Sequence, residues 1–194
     1  MKEIIFLSGK RYVGKTSTAQ IIKNGIENKG KNATIMSFSY LVKKTYCQKN
    51  GLDLNRFLTD HAYKDSHRVP MTQYFASTDQ MIYAEYLHKQ IQEGEREGKG
   101  NERKEGKDFD VYIVDDLRLL MHVEYINKVM EKDYNVTIIR VNSDEKNRTK
   151  RGWIESVYDQ EPFETEMDNY KHFDYILHNN GLFADYKKEI KDLI

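Results

Sequence analysis

The chain is poor in cysteine, in net charge and in long apolar runs, and each shortage closes off a class of function. Cys47 is the only cysteine among 194 residues, so neither an internal disulfide nor a multi-cysteine zinc site can form, which suits a reducing, cytoplasmic setting. Thirty-one basic residues stand against 31 acidic ones. That balance gives no general attraction for nucleic acid or for an anionic membrane, so any basic patch must be local. No stretch reaches the roughly 18 uninterrupted apolar residues of a membrane helix, and the apolar run in MKEIIFLSG is too short for a signal peptide. It reads as a first strand. A chain of this length is expected to form one compact domain over residues 1–194, soluble and monomeric.

Five short runs rich in Ile, Val and Tyr are strand candidates, at residues 3–8, 33–38, 111–115, 136–141 and 173–177. Helical spacing fills the segments between them, at 16–26, 40–49, 72–92, 122–131 and 184–194. Strand and helix alternate, which predicts an α/β fold with a five-stranded parallel sheet flanked by helices. Residues 93–108 read EGEREGKGNERKEGKD. With four glycines, mixed charges and no large apolar side chain, this segment cannot offset the entropy of ordering and is expected to be a solvated, disordered loop.

The strongest signal is GKRYVGKT, Gly9 to Thr16, which satisfies the full G-x-x-x-x-G-K-[ST] pattern between a predicted strand and a predicted helix. Gly9 and Gly14 allow the backbone to turn its N–H groups around a phosphate, Lys15 reaches the terminal phosphates, and Thr16 offers a hydroxyl to Mg2+. Gly9, Tyr12, Val13, Gly14, Lys15, Thr16 and Ser17 are therefore the expected ATP contacts, with the positive end of the following helix behind them. Lys10 and Arg11 add two cations suited to charge on a moving phosphoryl group. The third strand closes on Asp115 and Asp116, either of which fits a Walker B acid holding Mg2+ through water. After the fourth strand, Arg148, Lys150 and Arg151 cluster in NRTKRGW, as a lid over about residues 143–165 would carry them. The fold expectation sharpens to the P-loop NTPase type, close to nucleoside-monophosphate kinases, with a mobile lid. No Asn-Lys-x-Asp guanine reader is present, which favours a kinase over a GTPase.

The stretches FLSGKRYVGKT, LVKKTYCQKNGLDLNRFL, AYKDSHRVPM, YIVDDLR, RVNSDEKNRTKRGW and MDNYKHFDYILHNNG are spread nearly end to end. In them the chain resembles the animal-type phosphomevalonate kinases. The resemblance implies ATP-dependent phosphorylation of phosphomevalonate. By the same resemblance, Lys15, Lys10 and Arg11 serve catalysis, and Arg148 and Arg151 clamp ATP. Lys64, Arg68, Arg118 and Arg140 face the acceptor or the transferring group, and Asn179 lies near the adenine. Four features depart: Leu119 and Asp79 stand where the family carries arginines, Thr16 stands where some members carry an acid, and the charged segment 93–108 looks like an insertion. A deoxynucleoside-monophosphate kinase, with Tyr74, Tyr83 or Tyr86 stacking on a base, and a non-catalytic nucleotide-binding regulator remain the alternatives.

Overall fold

The computed structural model describes residues 1–98 and 109–193. Strands β1 (Lys2–Ser8), β2 (Ala33–Met36), β3 (Val111–Leu117), β4 (Tyr134–Asn142) and β5 (Tyr175–His178) form one sheet in the order β2-β3-β1-β4-β5, every pair parallel. All five expected strands are present. The sheet is apolar on both faces: Ile4 and Phe6 of β1 pack with Val114, Leu117 and Ile91, whereas Ile5 and Leu7 pack with Ile22, Ile113 and Val141. Burial on both sides explains why these strands read as continuous apolar runs rather than alternating ones.

The helices are α1 (Lys15–Glu27), α2 (Ser39–Asn50), α3 (Leu54–Thr59), α4 (His61–Ser66), α5 (Arg68–Ala76), α6 (Met81–Gly98), α7 (Leu120–Val129), α8 (Glu145–Lys150), α9 (Pro162–Thr165) and α10 (Phe183–Leu193). The single long helix expected at 72–92 is instead two, α5 and α6. At the break, the Ser77 and Thr78 hydroxyls donate back to the carbonyls of Tyr74 and Phe75, and the Asp79 carboxylate accepts the Met81 N–H at 3.0 Å. Short polar side chains thus compete with the helix for its own backbone groups. Two unexpected short helices, α3 and α4, follow α2. Asp53 and Asp60 accept the N–H groups of Arg56 and Tyr63, and the turn closes over Phe57, which is fully buried against Tyr46 and Cys47.

The loop expected at 93–108 starts later than composition suggests. Residues 93–98 continue α6, because Glu and Arg are good helix formers and Glu93 is held one turn back by Lys89 and Gln90. The rest, 99–108, lies outside the described residues. Among the described residues no helix is long and apolar enough to cross a membrane.

Candidate active site

β1 is the central strand, so the loop that follows it opens at the carboxyl edge of the sheet, where ligands of parallel sheets gather. Two glycines make this loop possible. A Cβ on Gly9 would come 2.4 Å from the Val141 carbonyl oxygen, and one on Gly14, at φ 100°, would come 2.5 Å from Asn179 Nδ2. Asn179 Nδ2 in turn donates to the Val13 carbonyl at 2.9 Å. Its side chain is therefore committed to holding the loop. Tyr12 adopts φ 62°, a left-handed conformation rare outside glycine.

Lys15 is buried, and its Nζ donates to the Gly9 and Lys10 carbonyls at 2.6 and 2.8 Å. Burial, helped by the charge of Arg118, pulls its ammonium down to about 7, against Glu164, Asp115 and Asp116, which act to raise it. Between about 7 and its ordinary value the unfolded chain holds a proton that the folded one lacks, so this group's contribution to stability rises with pH through that window. A polyphosphate beside Lys15 favours the ammonium. Nucleotide binding at pH 8 is thus expected to take up most of one proton, read by calorimetry in buffers of different ionisation enthalpy. Lys15→Met should abolish the uptake, and a buffer-independent enthalpy for the unsubstituted protein would rule it out.

The two acids at the end of β3 have separate surroundings. Thr16 Oγ1 donates to Asp115 Oδ2 at 2.9 Å, and burial together with neighbouring Asp116 raises the Asp115 carboxyl above its ordinary range. Asp116 accepts from Ser37 Oγ, Phe38 N and Ser39 N at 2.7, 2.8 and 3.0 Å. Burial pushes Asp116 up, but Lys43 and these donors outweigh it and hold the carboxyl below its ordinary range. Thr16 and Asp115 are thus the hydroxyl–carboxylate pair that fits Mg2+. Asp116 anchors the turn entering α2.

Above the loop lies the 143–165 segment. Asp144 caps α8, accepting the Asn147 N–H at 2.7 Å, and sets Arg148 and Arg151 over the P-loop. Arg148 Nε donates to the Arg11 carbonyl at 3.1 Å, and its guanidinium lies 4.2 Å from the Trp153 ring. Arg151 reaches Ser143 Oγ and the Asn179 carbonyl at 2.8 and 2.7 Å.

Three acids that the sequence reading did not single out complete the site. Asp159 accepts from Arg11 Nε at 2.7 Å. Burial opposes ionisation there, yet Arg11, the Ser156 N–H and Trp153 bring its carboxyl down to about 2. Glu164 is buried, pairs with Arg118, and accepts the Arg11 N–H at 2.8 Å. Asp168 bridges Arg140, at 2.5 Å, and Lys10, at 2.8 Å. A cleft of about 290 Å³ opens among Lys10, Val13, Arg140, Asn142, Arg148 and Asp168.

A family model described as Phosphomevalonate kinase matches residues 7–133. The chain belongs to the phosphomevalonate kinase family. A phosphomevalonate kinase of Drosophila melanogaster is 23% identical over 182 residues, 93% of this chain and 89% of that relative. Among solved structures, shikimate kinases from Bacteroides thetaiotaomicron and from Acinetobacter baumannii, the latter in complex with shikimate, give TM-scores of 0.52 and 0.50. Both are 10% identical and cover 100% of this chain and 98% and 93% of their own, a likeness of fold alone.

The phosphomevalonate kinase match takes in the P-loop, Ser17, exposed on the first turn of α1, the β3 acids and Arg118. It also takes in Lys64 on α4 and Arg68 at the start of α5, both half-buried in the helices that follow β2. Arg140, Arg148, Arg151 and the three acids lie beyond its end. The two residues that stand in place of arginines have local employment: Leu119 is buried before α7, and Asp79 caps α6. Tyr83 is also buried, stacked on Phe75 with its hydroxyl 2.5 Å from Thr78, so it is a core residue and not a surface for a base. Tyr74 packs against Tyr46. Family and fold together support kinase-type phosphotransfer to a small substrate.

Proposed function

We propose that this protein transfers the terminal phosphoryl group of Mg-ATP to phosphomevalonate, giving ADP and diphosphomevalonate. The observation that carries this reading is the gathering of Lys10, Arg140 and Arg148 around one cleft beside the P-loop, with Lys15 within reach of the charge on Arg118. In the reaction an acceptor phosphate oxygen attacks the terminal phosphorus while the bond to the bridging oxygen of ADP breaks. A phosphate acceptor is largely ionised at neutral pH, its second pKa being about 6, so it needs cations around it and not a general base. The cleft fits that demand: Lys10, Arg140 and Arg148 line it, and its one carboxylate, Asp168, is itself paired with Arg140 and Lys10.

Loop amides and Lys15 hold the nucleotide phosphates, and Thr16 with Asp115 would hold Mg2+, which supplies charge neutralisation when bound. Arg118, Arg140 and Lys10 meet the moving phosphoryl group, Lys64 and Arg68 hold the acceptor, and Arg148 and Arg151 close the lid over ATP.

The test is ADP release with a panel of phosphomevalonate, ribonucleoside and deoxyribonucleoside monophosphates. Phosphomevalonate is expected to support turnover at least tenfold above every nucleotide. A nucleotide that wins would replace the acceptor and keep the phosphotransfer; no ADP release with any acceptor would sink both.

A further inference from the structure

Asp168 makes contacts of the kind a phosphoryl group makes. One of its oxygens lies 2.5 Å from Arg140 Nη2 and the other 2.8 Å from Lys10 Nζ, so one carboxylate bridges two cations from different parts of the site. The residues around this bridge are not equally fixed. Arg140 is 7% exposed and spends its other donors on Ser8 Oγ and Asn142 Oδ1. Arg148, on the same cleft, is 9% exposed; its Nη2 makes no hydrogen bond among the described residues and lies 3.6 Å from Asp159 Oδ1. The Asp168 side chain is 35% exposed and ends the short 3-10 turn Glu166–Asp168. Arg140 and Arg148 are locked in place; Lys10, its side chain 34% exposed, and Asp168 are free to move, and of those two only the acid competes with an anion for the cations.

We propose that Arg140, Lys10 and Arg148 form a phosphoryl subsite in which Asp168 is a built-in competitor that an incoming phosphoryl group displaces. The inference rests on the phosphotransfer reading for which phosphoryl group enters, the nucleotide's terminal one or the acceptor's. The exchange itself is read by binding alone.

The test is calorimetric titration of the full chain and of Asp168→Asn with three probes: ADP, a β,γ-imido ATP analogue, and inorganic phosphate with ADP saturating. The substitution is expected to raise affinity at least threefold for the analogue or for phosphate, while leaving ADP within a factor of about 1.5. A gain for the analogue assigns the subsite to the nucleotide's terminal phosphoryl, and a gain for phosphate assigns it to the acceptor's. The gain should vanish when Arg140→Met is also present. An equal gain for ADP would reduce the effect to loss of one negative charge and overturn the proposal, as would no gain at all. Asp168→Ser, checked by thermal melt, must give the same order of effects. Should the unsubstituted protein release no ADP with any acceptor, the phosphotransfer reading falls while these titrations still decide the subsite.

Discussion

Lys15→Met is expected to lower kcat about a hundredfold or more, because the ammonium that follows charge onto the transferring phosphoryl group is lost in a site that shields it little from that charge. The fold should survive. Methionine matches much of the side-chain length, and relief from a buried charge offsets the loss of the two hydrogen bonds that Nζ gives to the Gly9 and Lys10 carbonyls, so the melting temperature should change little. The measurement is kcat at saturating ATP and acceptor, paired with a thermal melt. Near-full turnover in a folded variant would remove the P-loop lysine from the catalytic account.

Asp116→Ala is expected to cost about 3 kcal/mol of stability, since it strips the acceptor from one hydroxyl and two backbone N–H groups at the turn entering α2. Asp115→Asn should cost less than about 1 kcal/mol, its one hydrogen-bond partner among the described residues being the hydroxyl of the exposed Thr16. Its effect should fall on the Mg2+ dependence of turnover. Urea unfolding of the two variants, alongside a Mg2+ titration of activity, separates the roles. If the stability costs come out reversed, the assignment of anchor and metal carboxylate must be exchanged.

The sheet was legible because its strands are buried on both faces, so each shows as an unbroken apolar run such as IIFL or VYIV. The phosphate loop was legible for a different reason: Gly9 and Gly14 stand where any larger residue would collide with Val141 or Asn179. The break between α5 and α6 was passed over although Ser77-Thr78-Asp79 carries a turn signal, because the apolar spacing on either side keeps a helical period; the three side chains turn onto the backbone and end the helix. Nor could spacing reveal the acids of the site. Asp159, Glu164 and Asp168 sit 148, 46 and 28 residues from Arg11, Arg118 and Arg140, and a carboxylate in a charged segment looks the same in sequence whether it meets water or an arginine. The Ser156-x-x-Asp159 spacing, in which Asp159 accepts the Ser156 N–H, was the one local cue. It marks a turn, and says nothing of Arg11.

The pairing of Arg11, Arg118, Arg140 and Lys10 with Asp159, Glu164 and Asp168 bears on how fast a substrate arrives. Long-range steering of a polyanion depends on the net field at the mouth of a cleft, and here three carboxylates cancel part of the positive charge within one ion-pair distance. An approaching nucleotide therefore feels less pull than the count of cations suggests until it is close enough to exchange partners with the carboxylates. The dependence of its arrival on ionic strength is expected to be correspondingly shallower. Part of the attraction is deferred to the moment of contact, so discrimination among anions falls more to the geometry of the exchange than to the approach.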